Sequence, residues 1–199
     1  QLTVFPRVTE PHILALADTR PSAHAPPMML LTVSVLDPRG RSVVRLDPES
    51  SLLGSPQIHG DDRDGAPEPL TDLDAKKLAW GVGQVRNIMN TSPLREMTMG
   101  EIYPGPGVSG NPGDAAGEDD HLVEWVKGHV YSNSHWCGTA RIGKSSDPES
   151  VLDERMAVRG VSRLFVGDAS AIPLIPNGNV HSTVVLIATK LAEYLLSAY

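Results

Sequence analysis

The sequence predicts an α+β fold in which helices cover a mainly antiparallel sheet. An apolar run that begins at Met28 is followed by the turn Asp37-Pro38-Arg39-Gly40 and by a β-branched run that ends at Leu46, which is typical of a hairpin. Apolar residues then recur at helical spacing over Thr71–Met89 and again over Leu122–Val130. We therefore expect the hairpin to belong to the sheet and the two helices to cover one of its faces.

The first half of the chain is expected to contain one connection, the hairpin and one helix. Five prolines interrupt residues 1–27, which favours an irregular connection. The helix after the hairpin has a predicted start at Thr71, whose hydroxyl can cap it, and the acidic Asp74 follows three residues on. We expect residues 28–160 to form one domain that holds the sheet and both helices.

The second half begins with a segment rich in proline, glycine and acidic residues, Pro104–Asp120. A segment of this composition buries little surface, so we expect it to wrap the surface or to serve as a mobile flap between two lobes. Asp119 or Asp120 then offers an N-cap to the helix over Leu122–Val130.

The last part of the chain, residues 161–199, is expected to contain one strand and one helix. The short apolar run Leu164–Val166 predicts the strand, and Ser182 or Thr183 opens the helix. The apolar residues of this helix are expected to pack inward: Val184, Val185, Ile187, Ala188, Leu191, Leu195 and Leu196.

Composition and charge exclude several classes of protein. The 199 residues carry a formal charge of −7 and no basic block, which disfavours a nucleic-acid binder. No stretch of about 18 uncharged apolar residues is present, so no membrane span is expected. The lone Cys137 excludes an internal disulfide, and the seven dispersed histidines give little support to a metal site. The start at Gln1 has no features of a signal peptide, so we expect a processed chain or a fragment.

Two segments contain residues that could carry chemistry. Residues 131–143 place His135 in a turn of small residues, where it could act as a base or be a buried, hydrogen-bonded histidine. Residues 164–183 place Asp168 after a strand and Asn179 in a Pro/Gly-rich loop before a helix N-terminus, where negative charge is stabilised. Each segment alone is also consistent with a structural role, in which Asp168 caps a turn and the Asn side chains hold the loop.

Together the two segments resemble the carboxyl-terminal signature of the glucose-methanol-choline (GMC) flavin oxidoreductases. His135 and Asn179 lie 44 positions apart, as the paired catalytic residues of that family do. Residues 35–48 and 56–58 are similar to the family's hairpin and to the P-x-I that follows it. Eight further positions match the family pattern: Asp153, Val158, Gly160, Leu164, Phe165, Val166, Asp168 and Pro173.

The resemblance implies an FAD-dependent enzyme that oxidises a CH–OH group of a small-molecule alcohol or sugar. His135 would remove the hydroxyl proton while hydride passes to flavin N5. Asn179 does not titrate, so it would orient the substrate by hydrogen bonds. The residues implied to contact FAD are Asp168, Ala169, Asn179 and Val180.

The neighbours of these residues have less definite roles. Trp136 is either a stacking platform for the substrate or part of the packing. His181 is interpreted as structural, and Cys137 as a small buried thiol rather than a nucleophile. Within the family, the most similar motifs are those of the flavin domain of cellobiose dehydrogenases: residues 135–136, 141–143 and 176–179.

The dinucleotide fingerprint G-x-G-x-x-G, which these enzymes carry between a strand and a helix near the start of the chain, is not found there. Gly81-Val82-Gly83 lies inside a helical pattern, and Arg86 takes the place of the third glycine. The resemblance therefore assigns residues 28–160 to a substrate-binding domain and residues 161–199 to a segment that completes an FAD-binding domain. The amino-terminal portion of that domain would be on another chain or removed. We expect the chain alone to bind FAD weakly and to expose apolar faces.

Two other functions stay open at this point. Members of the GMC family also catalyse non-redox or light-driven reactions, as hydroxynitrile lyases and fatty-acid photodecarboxylases do. The chain could also be a non-catalytic module that lacks the flavin half. The pair of His135 and Asn179 favours ordinary dehydrogenation, whereas secretion is expected only by analogy with cellobiose dehydrogenases.

Overall fold

A computed structural model describes residues 2–5, 29–46, 56–59, 70–108 and 120–198. The chain divides into two compact units, each built from two stretches of sequence. Unit 1 comprises Gln1–Arg39 and Leu70–Tyr131, and unit 2 comprises Gly40–Pro69 and Ser132–Tyr199. The mixture of helix and strand that the sequence predicts is confirmed in both.

The described part of unit 1 contains two strands and three helices. Strands β1 (Leu2–Phe5) and β2 (Leu30–Val33) pair antiparallel, and Leu2 lies opposite Val33. The helices are α1 (Asp72–Met89), α2 (Leu94–Met97) and α3 (Asp120–His129). The core lies between α1 and α3, and its buried residues are Ala75, Leu78, Ala79, Leu122, Val123 and Val126.

Both helices predicted for this part of the chain are confirmed. Thr71 is the N-cap of α1: its hydroxyl accepts from the amide of Asp74 at 3.2 Å and donates to Asp74 Oδ2 at 2.8 Å. The carboxylate of Asp74 is 1% exposed and also accepts from the backbone N–H of Arg39 at 2.8 Å. Asp120 is the first residue of α3 rather than its N-cap, and Asp119 lies outside the described residues.

Unit 2 has less regular structure than unit 1. Strands β3 (Val43–Arg45) and β4 (Gln57–His59) pair antiparallel, with Val43 opposite His59. A single 3₁₀ turn covers Ala169–Ala171, and helix α4 covers His181–Ala198. The most buried apolar residues of the described part of this unit are Leu152, Met156, Ala171 and Ile172.

The predicted hairpin over residues 28–46 is wrong. β2 pairs with β1 and β3 pairs with β4, in two separate two-stranded sheets. The backbone of the predicted turn is held by α1 instead, since the N–H of Arg39 binds Asp74 and Lys77 Nζ donates to the carbonyl of Asp37 at 3.3 Å. The pairing of β1 with β2 also corrects a second prediction. Leu2–Phe5 is a strand, whereas an irregular connection was expected over residues 1–27. The rest of that connection lies outside the described residues.

The carboxyl-terminal segment differs from the prediction in two ways. In place of a strand at Leu164–Val166 there is one isolated bridge, between Phe165 and Ala157. The neighbour of this segment is residues 156–158: the N–H of Val158 donates to the carbonyl of Leu164, and the N–H of Val166 donates to the carbonyl of Met156. The pairing is one bridge long, which is too short for a strand. Helix α4 begins at His181, one residue before the earliest predicted start, so that start is also wrong by one position.

Helix α4 exposes apolar side chains, as expected for the chain taken alone. Leu196 is 84% exposed and Leu186 is 58% exposed. The inward packing predicted for Val185, Ala188 and Leu196 is therefore wrong within this chain. No helix in the described ranges is long and apolar enough to cross a membrane.

The spacing G-x-G-x-x-G does occur once in the sequence, at Gly105-Pro106-Gly107-Val108-Ser109-Gly110. It lacks the context of a dinucleotide fingerprint, because no strand precedes it within residues 70–108. Gly105 is buried with a φ of +89°, and its carbonyl accepts from the N–H of Val108 at 3.2 Å in a turn. Residues 109–119, including most of the predicted flap, lie outside the described part of the chain.

Candidate active site

The two segments that the sequence singles out are joined by backbone hydrogen bonds in unit 2. The N–H groups of Gly138, Ala140 and Ile142 donate to three consecutive carbonyls of the 3₁₀ turn: Ala169 at 3.3 Å, Ser170 at 3.0 Å and Ala171 at 3.0 Å. We call these three bonds the ladder. The ladder fixes the segment that carries His135 against the segment that begins at Asp168.

The turn on one side of the ladder is closed by Asp168. Its Oδ1 accepts from the backbone N–H of Ser170 at 2.8 Å and from the hydroxyl of the same serine at 2.5 Å. Ala171 and Ile172, which follow, are 0% and 2% exposed. The structural interpretation of Asp168 as a cap is therefore correct, but its side chain is exposed and also open to a ligand. An Asp followed two residues later by Ser is the sequence signal that could have identified the role of Ser170.

Gly138, the first residue of the ladder, has a backbone conformation that residues other than glycine adopt only with strain. Its φ is +88°, and a Cβ at this position would lie 3.3 Å from the carbonyl oxygen of Ile172. Gly138 thus permits close contact between this segment and the turn.

The far end of the same segment is held by ion pairs and hydrogen bonds. The Arg141 guanidinium contacts Asp147 at 3.1 Å and Glu149 at 2.9 Å. The Arg159 guanidinium donates to the carbonyl of Gly143 at 2.6 Å and to the Ser150 hydroxyl at 3.1 Å. Sequence reasoning missed these contacts because an Arg and an acid several residues apart are common on any surface.

A tight turn at Asp153 follows this region in the chain. The Asp153 carboxylate accepts from the N–H groups of Arg155 and Ala157, both at 2.9 Å. The turn brings Met156, 3% exposed, into the core with a φ of +63°. Asp153 was matched as a family position, and the structure gives it this local role.

His135 precedes the ladder in the chain and is not part of it. It is half-buried, three residues before the ladder begins, and it follows Ser134, whose φ is +58° and whose N–H donates to the Ser132 hydroxyl at 3.1 Å. Trp136 is 63% exposed, so packing within this chain does not account for it. The Cys137 thiol is half-buried; burial raises its pKa, and the positive charge of Arg41 opposes that effect. A protonated thiol agrees with the interpretation of Cys137 as unreactive.

Asn179 is exposed and lies two residues before the first residue of helix α4. The carbonyl of Val180 accepts from the N–H of Val184 at 2.9 Å, which is the first bond of the helix. The amides at the start of a helix have no partner within it, so Asn179 is followed by N–H donors. No hydrogen bond within residues 120–198 joins His135 to Asn179. His181 is exposed, and its structural role stays a prediction.

The exposed polar groups of these residues fit the chemistry of a flavin contact. Asp168 and Asn179 expose polar side chains, and a Cβ on Gly178 would meet no atom within 4 Å, so the backbone before Asn179 is open to close approach. Amide donors at the start of α4 suit a group that becomes negative on reduction. By contrast, a groove of about 650 Å³ lies in unit 1 between α1 and residues 33–37, and no predicted site residue lines it. No group of three His, Cys, Asp or Glu side chains able to hold a metal occurs among the described residues.

Comparison with known proteins gives consistent matches. The family model described as GMC oxidoreductase matches residues 38–188. Oxygen-dependent choline dehydrogenases of Staphylococcus aureus strains JH9 and Newman are 33% identical over 126 residues, which is 63% of this chain and 21% of theirs. The chain thus spans about a fifth of the length of the curated relatives it matches.

Two solved structures are similar to the chain. Pyridoxine 4-oxidase from Mesorbium loti has 30% identity and a TM-score of 0.61, and the match covers 80% of this chain and 28% of that one. A fungal aryl-alcohol oxidase has 28% identity and a TM-score of 0.63, with 82% and 24% covered. The names of all these relatives are those of enzymes that oxidise alcohols.

Proposed function

The chain belongs to the GMC oxidoreductases, and we propose that it is the substrate-binding and catalytic carboxyl-terminal portion of an FAD-dependent enzyme that oxidises a CH–OH group of an alcohol or sugar. The observation that carries the proposal is the ladder, which joins the segment of His135 to the turn of Asp168. Relatives that oxidise choline, pyridoxine and aryl alcohols support the reaction class.

In this proposal His135 accepts the hydroxyl proton of the substrate. Imidazole exchanges a proton near neutral pH, so it can act as a base in oxidation and as an acid in the reverse direction. Its half-buried position leaves part of the ring accessible, and the ladder holds the chain that follows it. A general base must be held within reach of its proton, which is the requirement that this anchoring serves.

Asn179 orients the same hydroxyl. An amide side chain does not titrate, but it donates and accepts hydrogen bonds at once. It can therefore bind the substrate oxygen while His135 takes the proton. Trp136, exposed and next to His135, offers a flat apolar surface on which a substrate can stack.

Bound FAD would supply the acceptor for the hydride that leaves the substrate carbon. The residues of this chain that would hold it are Asp168, Ala169, Asn179 and Val180. Asp168 provides an exposed carboxylate at the turn, and the N-terminus of α4 after Val180 favours negative charge. Without a phosphate-binding cradle, this chain alone would bind FAD weakly.

The remaining parts of the complete enzyme are assigned by the same proposal. Residues 28–160 belong to the substrate-binding domain, where the strands join a larger antiparallel sheet. Residues 161–199 complete the FAD-binding domain, whose amino-terminal portion covers α4. The exposed leucines of α4 support this assignment, because apolar surface of that extent is normally covered.

The test is anaerobic reduction of the flavin by alcohols. The complete enzyme, purified with its flavin, is mixed with choline, pyridoxine, an aryl alcohol and a sugar, and the visible absorbance of oxidised flavin is followed. Bleaching by one of them supports the proposal. A gene product with flavin that only cleaves a cyanohydrin or decarboxylates an acid in light contradicts it, as does one with no flavin at all.

A further inference from the structure

We propose that Ser170 is a positioning residue, which holds the segment of His135 in place through the turn that Asp168 caps. This inference rests on the proposed function, since it concerns the reaction in which His135 is the base. Ser170 itself touches neither substrate nor reacting atoms in this assignment.

Ser170 makes two hydrogen bonds to one carboxylate oxygen of Asp168. Asp168 Oδ1 accepts from the amide and from the hydroxyl of Ser170, at 2.8 Å and 2.5 Å. Bonds to a carboxylate are stronger than those between neutral groups. The two together fix both the direction of the carboxylate and the backbone of the turn.

The turn that these bonds hold is itself hydrogen-bonded to the segment of His135. The carbonyls of the turn, from Ala169 to Ala171, accept all three bonds of the ladder. Ile172, which follows the turn, is 2% exposed and donates its N–H to the carbonyl of Ala169. A turn that loosens at Ser170 therefore weakens three bonds at once, and the first of them lies three residues from His135.

The same turn also carries a proposed contact to the cofactor. Asp168 is a proposed FAD contact, and its orientation is set by Ser170. The proposed cofactor contact and the segment of the base are thus both attached to one turn. We expect that FAD bound at Asp168 protects the ladder amides, and that loss of the Ser170 hydroxyl removes this protection.

The experiment compares Ser170→Ala, Ser170→Thr and Ser162→Ala in the flavin-loaded complete enzyme. Ser162 is an exposed serine of the same unit and serves as the control. Hydrogen exchange is measured at Gly138, Ala140 and Ile142, and flavin reduction by the alcohol is measured without oxygen. The amides of Val158 and Val166, bonded to Leu164 and Met156, report on the rest of the unit.

The expected result for Ser170→Ala is exchange about tenfold faster at the three ladder amides, the size of losing one bond to a charged group. Exchange at Val158 and Val166 stays unchanged. The limiting rate of flavin reduction falls about tenfold, and the alcohol concentration that gives half of this rate changes little. Ser170→Thr, which keeps the hydroxyl, restores both, and Ser162→Ala resembles the wild type.

Wild-type exchange and reduction in Ser170→Ala would overturn the proposal. If that variant loses its flavin, exchange in the flavin-free forms of wild type and variant decides instead, and equal rates at the ladder amides overturn it. A parallel His135→Ala enzyme separates the two hypotheses. Normal reduction by His135→Ala contradicts the proposed function, whereas slow reduction there with normal behaviour of Ser170→Ala contradicts the positioning role alone.

Discussion

Gly167 lies so close to Leu191 that a Cβ on the glycine would be 2.5 Å from Cδ2 of the leucine. The contact joins the residue before Asp168 to the middle of α4. It therefore sets the distance between the two places proposed to hold FAD, the capped turn and the start of the helix. A side chain at position 167 would require the side chain of Leu191 to shift.

Gly167→Ala is expected to lower the Tm of the flavin-loaded enzyme and to weaken flavin retention, because Leu191 must move. Overpacking of this kind costs about 1 to 3 kcal/mol. The double variant Gly167→Ala with Leu191→Ala should recover part of the loss, which a double-mutant cycle measures by thermal unfolding. Additive effects of the two substitutions would contradict the contact.

His135→Ala is expected to slow flavin reduction by roughly two to four orders of magnitude, the usual contribution of a general base. Asn179→Ala should cost less and act mainly on the orientation of the substrate, since it removes one hydrogen bond worth about 1 to 3 kcal/mol. The rate of the wild type should rise with pH through one ionisation that the His135 variant lacks. Anaerobic stopped-flow across pH measures both, and near-normal reduction by His135→Ala would remove the histidine from the mechanism.

Gly138→Ala is expected to destabilise the enzyme by about 1 to 3 kcal/mol, because alanine is strained at a φ of +88°. Flavin reduction should slow as well, since the first bond of the ladder is disturbed. Gly128→Ala is the matched control: this glycine lies in α3, and a Cβ there meets no atom within 4 Å. Alanine favours a helix, so the control should be neutral or stabilising in thermal unfolding.

Arg86→Lys is expected to destabilise unit 1 by roughly 1 to 3 kcal/mol. Arg86 makes two bonds to Glu101, at 2.9 Å and 3.0 Å, and is 9% exposed. Lysine cannot reproduce the planar two-bond geometry. Arg95→Lys, in an ion pair with Glu96 at the surface, should change the Tm little. Equal losses in the two variants would show that the Arg86 pair contributes no more than an exposed one.

Cys137 is expected to react slowly with iodoacetamide near neutral pH, because burial raises the pKa of its thiol and the reactive species is the thiolate. Arg41 lowers that pKa, so Arg41→Ala should shift the pH dependence of alkylation still higher. Arg45→Ala is a control at a neighbouring arginine of unit 2. A downward shift in Arg41→Ala would contradict the electrostatic effect.

The helices were predictable because their signals are local. Thr71 and Asp74 form a cap within one turn, and the apolar spacing of α1 identifies its buried face without knowledge of a partner. Strand pairing is not local, which is why the hairpin was wrong. The apolar runs at β2 and β3 both favour strands, but each strand pairs with a segment outside the predicted hairpin: β2 with β1 and β3 with β4.

The family membership was predictable from spacing, and it is confirmed; the closer resemblance to cellobiose dehydrogenase stays a prediction. His135, Asp168 and Asn179 were predicted as site residues from the resemblance to that family, and their roles stay predictions. The ladder was not predictable, since it consists of backbone bonds that any residue with an N–H can make. The roles of Trp136 and Val180 stay predictions for the same enzyme.

The interleaving of the two units has a consequence for synthesis on the ribosome. The sequence passes from one unit to the other at residues 39/40, 69/70 and 131/132. Unit 1 lacks α3 until Tyr131 has been made, and the β3–β4 pair of unit 2 waits for the residues that follow Ser132. Nascent chains arrested before Tyr131 should therefore be cut readily by protease in both units, whereas longer ones protect unit 1 first.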